Sequence, residues 1–245
     1  MDDLYNFETG GATPWSRNQP DALSDFSARM DIVEHINSLK PNSILDLGCG
    51  EGYLAQQTIG AWGSFLGIDN SEAMVNSAQN RRLSNASFMN ADLRLLTQIQ
   101  LPLKSFNLIT AIFSLNYLTV QEGKTLIEFA LDHLTLDGTM IITLPHPFVT
   151  SVESLNPDFQ WETVTNYFNS DQWLTGHMKT LSNRKLSVGA FHKTFADLFE
   201  MVPTEFLQHT HIDELGFRGN SNCPIHFSKL VGQPLHVKIS ITKKR

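Results

Sequence analysis

Residues 43–52 read SILDLGCGEG, in which a predicted apolar strand, Ser43–Leu47, runs directly into a glycine-rich turn. Glycine suits such a turn because a ligand can approach the backbone closely where no Cβ stands in the way. A helix is predicted to follow, through about residue 59. A strand, a glycine turn and a helix in this order are typical of nucleotide-binding α/β sheets, although a tight turn without a ligand can look the same.

Four more apolar runs follow the first, at residues 65–68, 86–89, 106–113 and 139–144, with helices predicted over about 72–82, 93–99 and 122–134. Because these runs are continuously apolar rather than alternating, we expect strands that are covered by helices on both faces. Two later runs, about 205–212 and 235–242, alternate as an antiparallel pair at a sheet edge does. The sequence therefore predicts an α/β fold with a doubly wound, mostly parallel sheet and an antiparallel C-terminal hairpin.

The flanking segments complete a single predicted domain over residues 1–245, since no linker divides the chain. Residues 1–41 comprise an irregular arm followed by an amphipathic helix over 21–39, and residues 42–146 form the core. Residues 147–193 are an aromatic-rich insertion, and connections of that length are often lids or binding loops. Residues 194–245 supply a short helix over 194–201 and the hairpin.

The composition favours a soluble, cytoplasmic protein. Of its 245 residues, 41% are hydrophobic and 18% charged, which is enough apolar material for a sizeable core. The net charge of −7 disfavours nucleic acid or a phospholipid surface as the main partner. Only two cysteines occur, the first residues are acidic where a signal peptide is basic, and no apolar run could span a bilayer.

Three predicted strands end in an acid: Asp46, Asp69 and Asp92. The carboxyl ends of parallel strands meet at one edge of the sheet, so we expect these acids to line one crevice. Asp69 lies about twenty residues beyond the glycines, which is where an acid can accept hydrogen bonds from both hydroxyls of a ribose. Each acid taken alone is more simply a helix cap, but three in succession favour a ligand site.

These motifs make the chain resemble the class I S-adenosylmethionine-dependent methyltransferases. LDLGCGEG at 45–52 is similar to the first motif of that family, GIDNSEAMV at 67–75 to the second and NAD at 90–92 to the third. FNLITAIFSLNYL at 106–118 and LDGTMIITLPHP at 136–147 resemble its fourth- and fifth-strand segments. The resemblance implies a seven-stranded Rossmann-like sheet, with S-adenosylmethionine as cofactor and S-adenosylhomocysteine as product.

The same resemblance implies roles for individual residues. Gly48 and Gly50 would bring the backbone against the cofactor, with Asp46 near its amino-acid end. Asp69 would hold the ribose hydroxyls and Asp92 the adenine amine. The remaining implied cofactor contacts are Cys49, Asn70, Met74, Ala91, Leu93, Phe113 and Ser114. One departure is Asn107, where the family usually has an aspartate.

A nicotinamide-dependent dehydrogenase is the natural alternative, because it also combines a glycine turn with a ribose-binding acid. Its fingerprint is Gly-x-Gly-x-x-Gly, whereas the glycines here are spaced as Gly48-x-Gly50-x-Gly52. The spacing favours the methyltransferase.

Two histidines are candidate general bases, which an oxygen or ring-nitrogen acceptor requires. His146 follows the fifth strand at the predicted catalytic edge, and His192 begins the helix after the insertion. For either one, a structural, hydrogen-bonded histidine is the alternative. We predict no metal site, since no third ligand accompanies the histidines at 209 and 211.

The acceptor is predicted to be a small molecule, methylated on oxygen or nitrogen. The tetrapeptide that grips a flipped base in nucleic-acid amino methyltransferases is absent after the fourth strand, and no basic run precedes the C-terminal tail. Aromatic side chains and one histidine could line an acceptor pocket: Tyr5, Trp15, His146, Phe148, Tyr167 and Trp173. A protein or RNA acceptor and a non-catalytic cofactor-binding scaffold remain alternatives, and we expect a monomer or homodimer.

Overall fold

The computed structural model describes residues 19–149, 159–162, 166–219 and 223–244 of the chain. All five predicted core strands form there. The strands are β1 (Ser43–Leu47), β2 (Ser64–Asp69), β3 (Ala86–Asn90), β4 (Phe106–Ile112), β5 (Leu134–Pro145), β6 (Phe159–Trp161), β7 (Trp173–Lys179), β8 (Lys185–Phe191), β9 (Thr210–Leu215) and β10 (His236–Thr242).

The main sheet has seven strands in the order β3-β2-β1-β4-β5-β10-β9. Strands β1 to β5 are parallel, and β10 pairs antiparallel with both β5 and β9. The predicted seven-stranded, mostly parallel sheet with an antiparallel edge hairpin is thus confirmed. Because the chain order reverses between β1 and β4, their carboxyl ends flank the crevice in which open α/β sheets bind ligands.

Five α-helices accompany the strands in the described ranges: α1 (Met30–Leu39), α2 (Tyr53–Gln57), α3 (Glu72–Asn80), α4 (Val120–Asp132) and α5 (Phe195–Met201). The helix expected over 21–39 begins at Leu23 and contains a π-helical turn, Asp25–Arg29, ahead of α1. The Asp25 carboxylate accepts the backbone N–H groups of Asp21 and Ala22 there, at 3.1 and 2.9 Å. None of the described helices is long and apolar enough to cross a membrane.

Two apolar layers enclose the sheet, as the continuous apolar runs predict. On one face Ile44, Leu108 and Ile141 pack with the residues of α1. On the other face neighbouring residues of the same strands pack with α4 and α5. The strands are therefore covered on both sides, and the polar groups at their carboxyl ends are held on a rigid frame.

The insertion over 147–193 differs from the irregular connection that the sequence suggests. In its described part β6, β7 and β8 form a second, antiparallel three-stranded sheet. Side chains alternate along β7, where Leu174 and Met178 are buried between more exposed neighbours. Gly176 takes the buried position between Leu174 and Met178, and the apolar Trp173 takes an outer position, so the period of two is weak in the sequence. At Gly176 a Cβ would lie 2.4 Å from the Gln160 carbonyl oxygen, so close pairing with β6 requires glycine.

The first strand of the C-terminal hairpin begins later than predicted. A 3-10 helix, Thr204–His209, occupies most of the stretch expected as a strand, and β9 starts at Thr210. Pro203 precedes this turn, and its carbonyl accepts the backbone N–H of Phe206 at 2.9 Å. The alternation over 205–212 therefore does not mark the strand boundary correctly.

Candidate functional site

Three glycines with positive φ shape the turn after β1. Gly48, Gly50 and Gly52 have φ angles of 81°, 53° and 75°, a region that side-chain-bearing residues rarely adopt. A Cβ on Gly48 would lie only 2.4 Å from the Ser114 Cβ, so the turn packs directly against the segment after β4. A Cβ on Gly50 would meet nothing within 4 Å, which leaves open space beside the turn.

Hydrogen bonds tie this turn to the end of β2. The backbone N–H groups of Gly48 and Cys49 both donate to the Ile68 carbonyl, at 2.8 and 3.0 Å. The N–H of Gly50 donates to Asp69 Oδ2 at 2.8 Å. The predicted ribose-binding acid and the glycine turn are therefore brought into direct contact.

Asp69 also organises the next helix. Its Oδ1 accepts the Ser71 N–H at 3.0 Å, and the Ser71 hydroxyl caps α3 by accepting the Met74 N–H at 3.3 Å. Burial raises the pKa of this carboxyl, while the surrounding backbone N–H groups oppose that rise. Asn70 lies exposed at the tip, between the acid and the cap.

Asp46 is a buried carboxyl inside the sheet, only 3% exposed. Its register partners are Gly67 on β2 and Thr110 on β4, and Thr110 Oγ1 donates to Asp46 Oδ1 at 2.7 Å. Burial raises the pKa of Asp46 to about 6, although the Thr110 hydrogen bond opposes the shift. Asp46 thus lies below the glycine turn and close to the charge of Asp69.

Replacement of Asp46 by asparagine should stabilise the fold above pH 6. The pKa of Asp46 rises from 3.8 to about 6 on folding, so the folded state binds the proton more tightly and loses stability as pH rises from about 4 to about 6. Asparagine keeps the Thr110 hydrogen bond without a charge. The free energy of unfolding of the variant should therefore be about 2–3 kcal/mol higher than that of wild type at pH 7.5, and equal to it at pH 4. Urea denaturation at both pH values tests this, with the exposed Asp132→Asn as control. Equal free energies of unfolding for Asp46→Asn and wild type at pH 7.5 would contradict the prediction.

Asp92 differs from the other two acids. It caps a 3-10 helix, Leu93–Gln98, by accepting the Arg94 N–H at 2.9 Å, and its carboxylate pairs with the Arg94 guanidinium. The pairing with Arg94 lowers the pKa of Asp92. Ala91 is tied to β2, because its N–H donates to the Asp69 carbonyl at 2.9 Å. The structure thus places Ala91, Asp92 and Leu93 beside the end of β2, and the adenine contact of Asp92 stays a prediction.

The segment after β4 has an unusual backbone. Phe113 has a φ of 59°, which is rare and strained for an aromatic residue, and its N–H donates to the Thr143 carbonyl at 3.0 Å. Its ring lies edge-on to the His236 ring, and the Arg29 guanidinium is 5.4 Å from the ring centroid. Strain of this kind is common at ligand sites, in agreement with the predicted place of Phe113 beside the methyl donor.

Four buried polar atoms at the carboxyl ends of β4 and β5 have no hydrogen-bond partner within the described ranges. They are Ser114 Oγ, Asn116 Oδ1, Thr143 Oγ1 and His236 Nδ1. A buried polar atom without a partner costs about 1–3 kcal/mol, so such atoms are rare and call for an explanation. A polar ligand at this edge of the sheet would supply the missing partners.

His146 lies at the end of β5 with both ring nitrogens engaged. Its Nε2 is 2.9 Å from Glu214 Oε1 on β9, and its Nδ1 accepts the Phe148 N–H at 3.2 Å. Since Nδ1 accepts the Phe148 N–H, the ring N–H is at Nε2 and is directed at Glu214. For His146 to act as a general base, its Nδ1 must first be released from the Phe148 N–H. Its catalytic role therefore stays a prediction.

His192 is fully buried, with an exposed fraction of 0%. Its Nε2 donates to the Tyr167 carbonyl at 2.7 Å, while the Tyr167 hydroxyl accepts the Phe195 N–H at 3.1 Å. These contacts join the segment between β6 and β7 to the end of β8 and the start of α5. Such geometry favours the structural alternative for His192 and Tyr167 over direct contact with an acceptor.

The other residues predicted to contact the acceptor differ in where they lie. The ring of Trp173 lies 6.3 Å from the ring of Tyr117, which follows β4 at the site edge, whereas Phe148 is 51% exposed. Tyr5 and Trp15 lie outside the described residues. The described ranges contain no group of three or more His, Cys, Asp or Glu side chains that could hold a metal ion.

Three site residues were not identified from the sequence. Tyr117 is half-buried near the charge of Asp69, and desolvation raises the pKa of its hydroxyl to about 12. Arg29 lies close to Asp46 and forms an ion pair with Asp25 at 3.2 Å. Lys193 is only 5% exposed and lines a cavity beside β5. The position of Tyr117 directly after β4 could have identified it as a site residue from the sequence. Arg29 and Lys193 lie in segments far from the motifs in sequence, so no local pattern indicates them.

Residues 44–138 match a family model described as a methyltransferase domain. The chain is 32% identical over 133 residues to the trans-aconitate 2-methyltransferase of Yersinia pestis, a match that covers 51% of this chain and 49% of the relative. The chain spans about half the length of the curated relatives it matches, with 54% and 49% of two of them covered.

Solved structures of similar fold extend the likeness to most of the chain. An S-adenosylmethionine-dependent methyltransferase from Mesorhizobium loti aligns with a TM-score of 0.60 at 18% identity, covering 89% of this chain and 99% of that one. An amino pentose methyltransferase from Micromonospora echinaspora, solved with S-adenosylmethionine bound, aligns with a TM-score of 0.55 at 14% identity, covering 88% and 89% of the two chains. At these identities the likeness establishes the fold.

Proposed function

We propose that this chain transfers a methyl group from S-adenosylmethionine to an oxygen or nitrogen atom of a small molecule. Its residues 44–138 form a class I S-adenosylmethionine-dependent methyltransferase domain. The contact between Gly50 and Asp69 at the end of β2 carries the proposal. It combines an open glycine turn with a carboxylate, which are the two groups that a nucleoside ligand requires.

The residues present fit the cofactor. Asp69 offers a carboxylate to the ribose hydroxyls, while Gly50 leaves open space beside the turn. Ser114 and Thr143 carry buried hydroxyls that lack partners among the described residues. When bound, S-adenosylmethionine supplies a methyl group on a sulfonium, which is an activated leaving group. The protein then has to align the acceptor and exclude water.

A small acceptor is favoured by what surrounds the carboxyl ends of β4 and β5. Strand β8 and α5 pack beside β5 there and leave a cavity with room for only about one water molecule, so a polymer has no access at this point. The acidic chain also disfavours nucleic acid. The Yersinia pestis relative is named for a small acid acceptor, which agrees with this proposal.

Two measurements test the proposed function. Isothermal titration of the full chain with S-adenosylhomocysteine should show one site, since product and cofactor share the adenosyl contacts. Incubation with methyl-labelled cofactor and a deproteinised metabolite extract should then label small molecules, but not added RNA or protein. Absence of cofactor binding would refute the proposal, and binding without any transfer would identify a scaffold.

A further inference from the structure

The N-terminal helix is tied to the second sheet by one acidic residue. This helix spans residues 23–39 and ends in α1, and Asp21 lies just ahead of it. Asp21 is only 9% exposed and contacts the turn that joins β7 to β8, residues 180–184. An aspartate is seldom buried to this extent unless its carboxylate has partners, and the turn supplies them.

The turn gives the Asp21 carboxylate four hydrogen bonds. Ser182 donates its backbone N–H to Oδ1 and its hydroxyl to Oδ2, both at 2.8 Å. Arg184 donates to Oδ2 from Nε at 3.2 Å and from Nη2 at 2.7 Å. The Asp21 carbonyl also accepts the Leu181 N–H at 3.0 Å. We call this set of contacts the clasp.

The carboxylate of the clasp stays ionised at neutral pH. Burial alone would raise the pKa of Asp21, but the hydrogen bonds from Arg184 and Ser182 lower it to about 2. Hydrogen bonds to an ionised group are roughly twice as strong as those between neutral groups. The Arg184 side chain is 38% exposed, so water can solvate it when the clasp opens. The clasp is therefore strong, and it lies at the surface rather than within the core.

The helix on one side of the clasp borders the candidate site. Ser27 Oγ lies 2.8 Å from Nε2 of His236, which begins β10 beside the carboxyl end of β5. Two residues further along the helix, the Arg29 guanidinium lies 5.4 Å from the centroid of the Phe113 ring. Both contacts lie at the edge of the sheet where the cofactor and acceptor are proposed to bind. The helix therefore forms one wall of that site.

The hairpin of β7 and β8, on the other side of the clasp, borders the same site. At the start of β7 the Trp173 ring lies 6.3 Å from the Tyr117 ring, just after β4. Asp171, ahead of β7, accepts the N–H of Val120 at the start of α4 with its Oδ1, at 2.8 Å. The helix and the hairpin thus both border the carboxyl end of β4. The clasp joins them at the opposite end of the hairpin.

We propose that the clasp between Asp21 and the β7–β8 turn is a gate for the ligands of the candidate site. Opening of the clasp frees the helix and the hairpin from each other, so that cofactor, product and acceptor can pass. Its closure excludes water while the methyl group is transferred. The inference rests on the proposed function and adds the step that sets how fast its ligands exchange. Asp21 is a positioning residue in this role, since it acts through the hairpin and touches no reacting atom.

The alternative is that the clasp only stabilises the fold. Its loss would then lower the free energy of unfolding, and any effect on ligands would be a weaker equilibrium affinity. A gate has a different signature, because the opening step precedes both entry and exit of the ligand. When a gate opens more easily, association and dissociation accelerate by the same factor and the Kd stays the same. The two rate constants therefore distinguish a gate from a structural contact.

The first test measures these rate constants by surface plasmon resonance, with S-adenosylhomocysteine flowing over the immobilised full chain. We expect Asp21→Asn, which removes the charge that holds Arg184, to raise both rate constants about tenfold with Kd unchanged. Arg184→Gln should raise them by a smaller factor, since Ser182 still holds the carboxylate. Unchanged rate constants in both variants, or a weaker Kd without faster association, would overturn the inference.

Asp31→Asn is the matched control for Asp21→Asn. Asp31 lies on the same helix, and its carboxylate pairs with Lys238 Nζ on β10 at 2.7 Å, so it ties the helix to the main sheet instead of the hairpin. Its loss should lower the free energy of unfolding and leave both rate constants as in wild type. Equal acceleration by the two variants would show that any loosening of the helix is sufficient, which would overturn the role of the clasp.

The second test locks the clasp covalently and stays valid should Asp21→Asn unfold. The side chains of Asp21 and Ser182 are in hydrogen-bond contact, so the double variant Asp21→Cys, Ser182→Cys should form a disulfide on oxidation. Oxidation should slow both association and dissociation of S-adenosylhomocysteine about tenfold or more, and a reductant should restore them, with no response from the single variants. Wild-type exchange in the oxidised double variant would overturn the inference. A wild type that binds no S-adenosylhomocysteine would instead refute the proposed function.

Discussion

A Gly48→Ala variant should be about 2–4 kcal/mol less stable than wild type and should lose measurable cofactor binding. The added Cβ would lie 2.4 Å from the Ser114 Cβ, and Gly48 already has a φ of 81°. Both the positive φ and the steric overlap disfavour alanine, and relief of the overlap moves the segment after β4 away from the turn. Urea denaturation and calorimetry with S-adenosylhomocysteine measure the two effects.

Gly60 provides a matched control for this variant. Its φ of 83° is nearly the same, but a Cβ there would meet nothing within 4 Å. Gly60→Ala should therefore show only the cost of the positive φ, about 1–2 kcal/mol, with cofactor affinity intact. Equal losses in the two variants would show that contact between the turn and Ser114 is unimportant.

The second large effect is expected at Asp69. Its replacement by alanine should weaken cofactor binding by about 1–3 kcal/mol, which is about 5- to 150-fold, because the ribose hydroxyls lose their acceptor. The same change removes the acceptor of the Gly50 and Ser71 N–H groups, so the turn and the start of α3 lose a shared contact. Calorimetry with S-adenosylhomocysteine measures the affinity.

The control for Asp69→Ala is Asp132→Ala, which removes an exposed acid at the end of α4. It should bind the product as wild type does, since the loss of one negative charge far from the turn is screened. Asp69→Ala binding with wild-type affinity would remove Asp69 from the cofactor site.

The sequence was sufficient for the parts of the fold that repeat a local pattern. β1 has the predicted bounds, Ser43–Leu47, because a buried parallel strand is a continuous apolar run bounded by a turn. β7 was missed because Gly176 stands at a buried position and the apolar Trp173 at an outer one, which weakens its alternation. The 3-10 turn before β9 also alternates and was therefore mistaken for a strand.

The same distinction between local pattern and long-range packing applies to the residues of the candidate site. Asp46 and Asp69 were predicted because strand ends gather at one edge whatever the rest of the chain does. The Glu214 partner of His146 could not be predicted, since 68 residues separate them and only the strand order brings them together. Lys193 was equally hidden, because its burial depends on how the second sheet meets β5.

The hydrogen bonds of Asp69 to Gly50 and Ser71 have a kinetic consequence. The carboxylate is already held in place by the turn and by the start of α3 before any ligand arrives. A solvent-exposed acid would lose rotamer freedom when the ligand binds. Asp69 has already lost that freedom when the protein folds. Association at the ribose should be limited by diffusion and access rather than by rearrangement of this side chain.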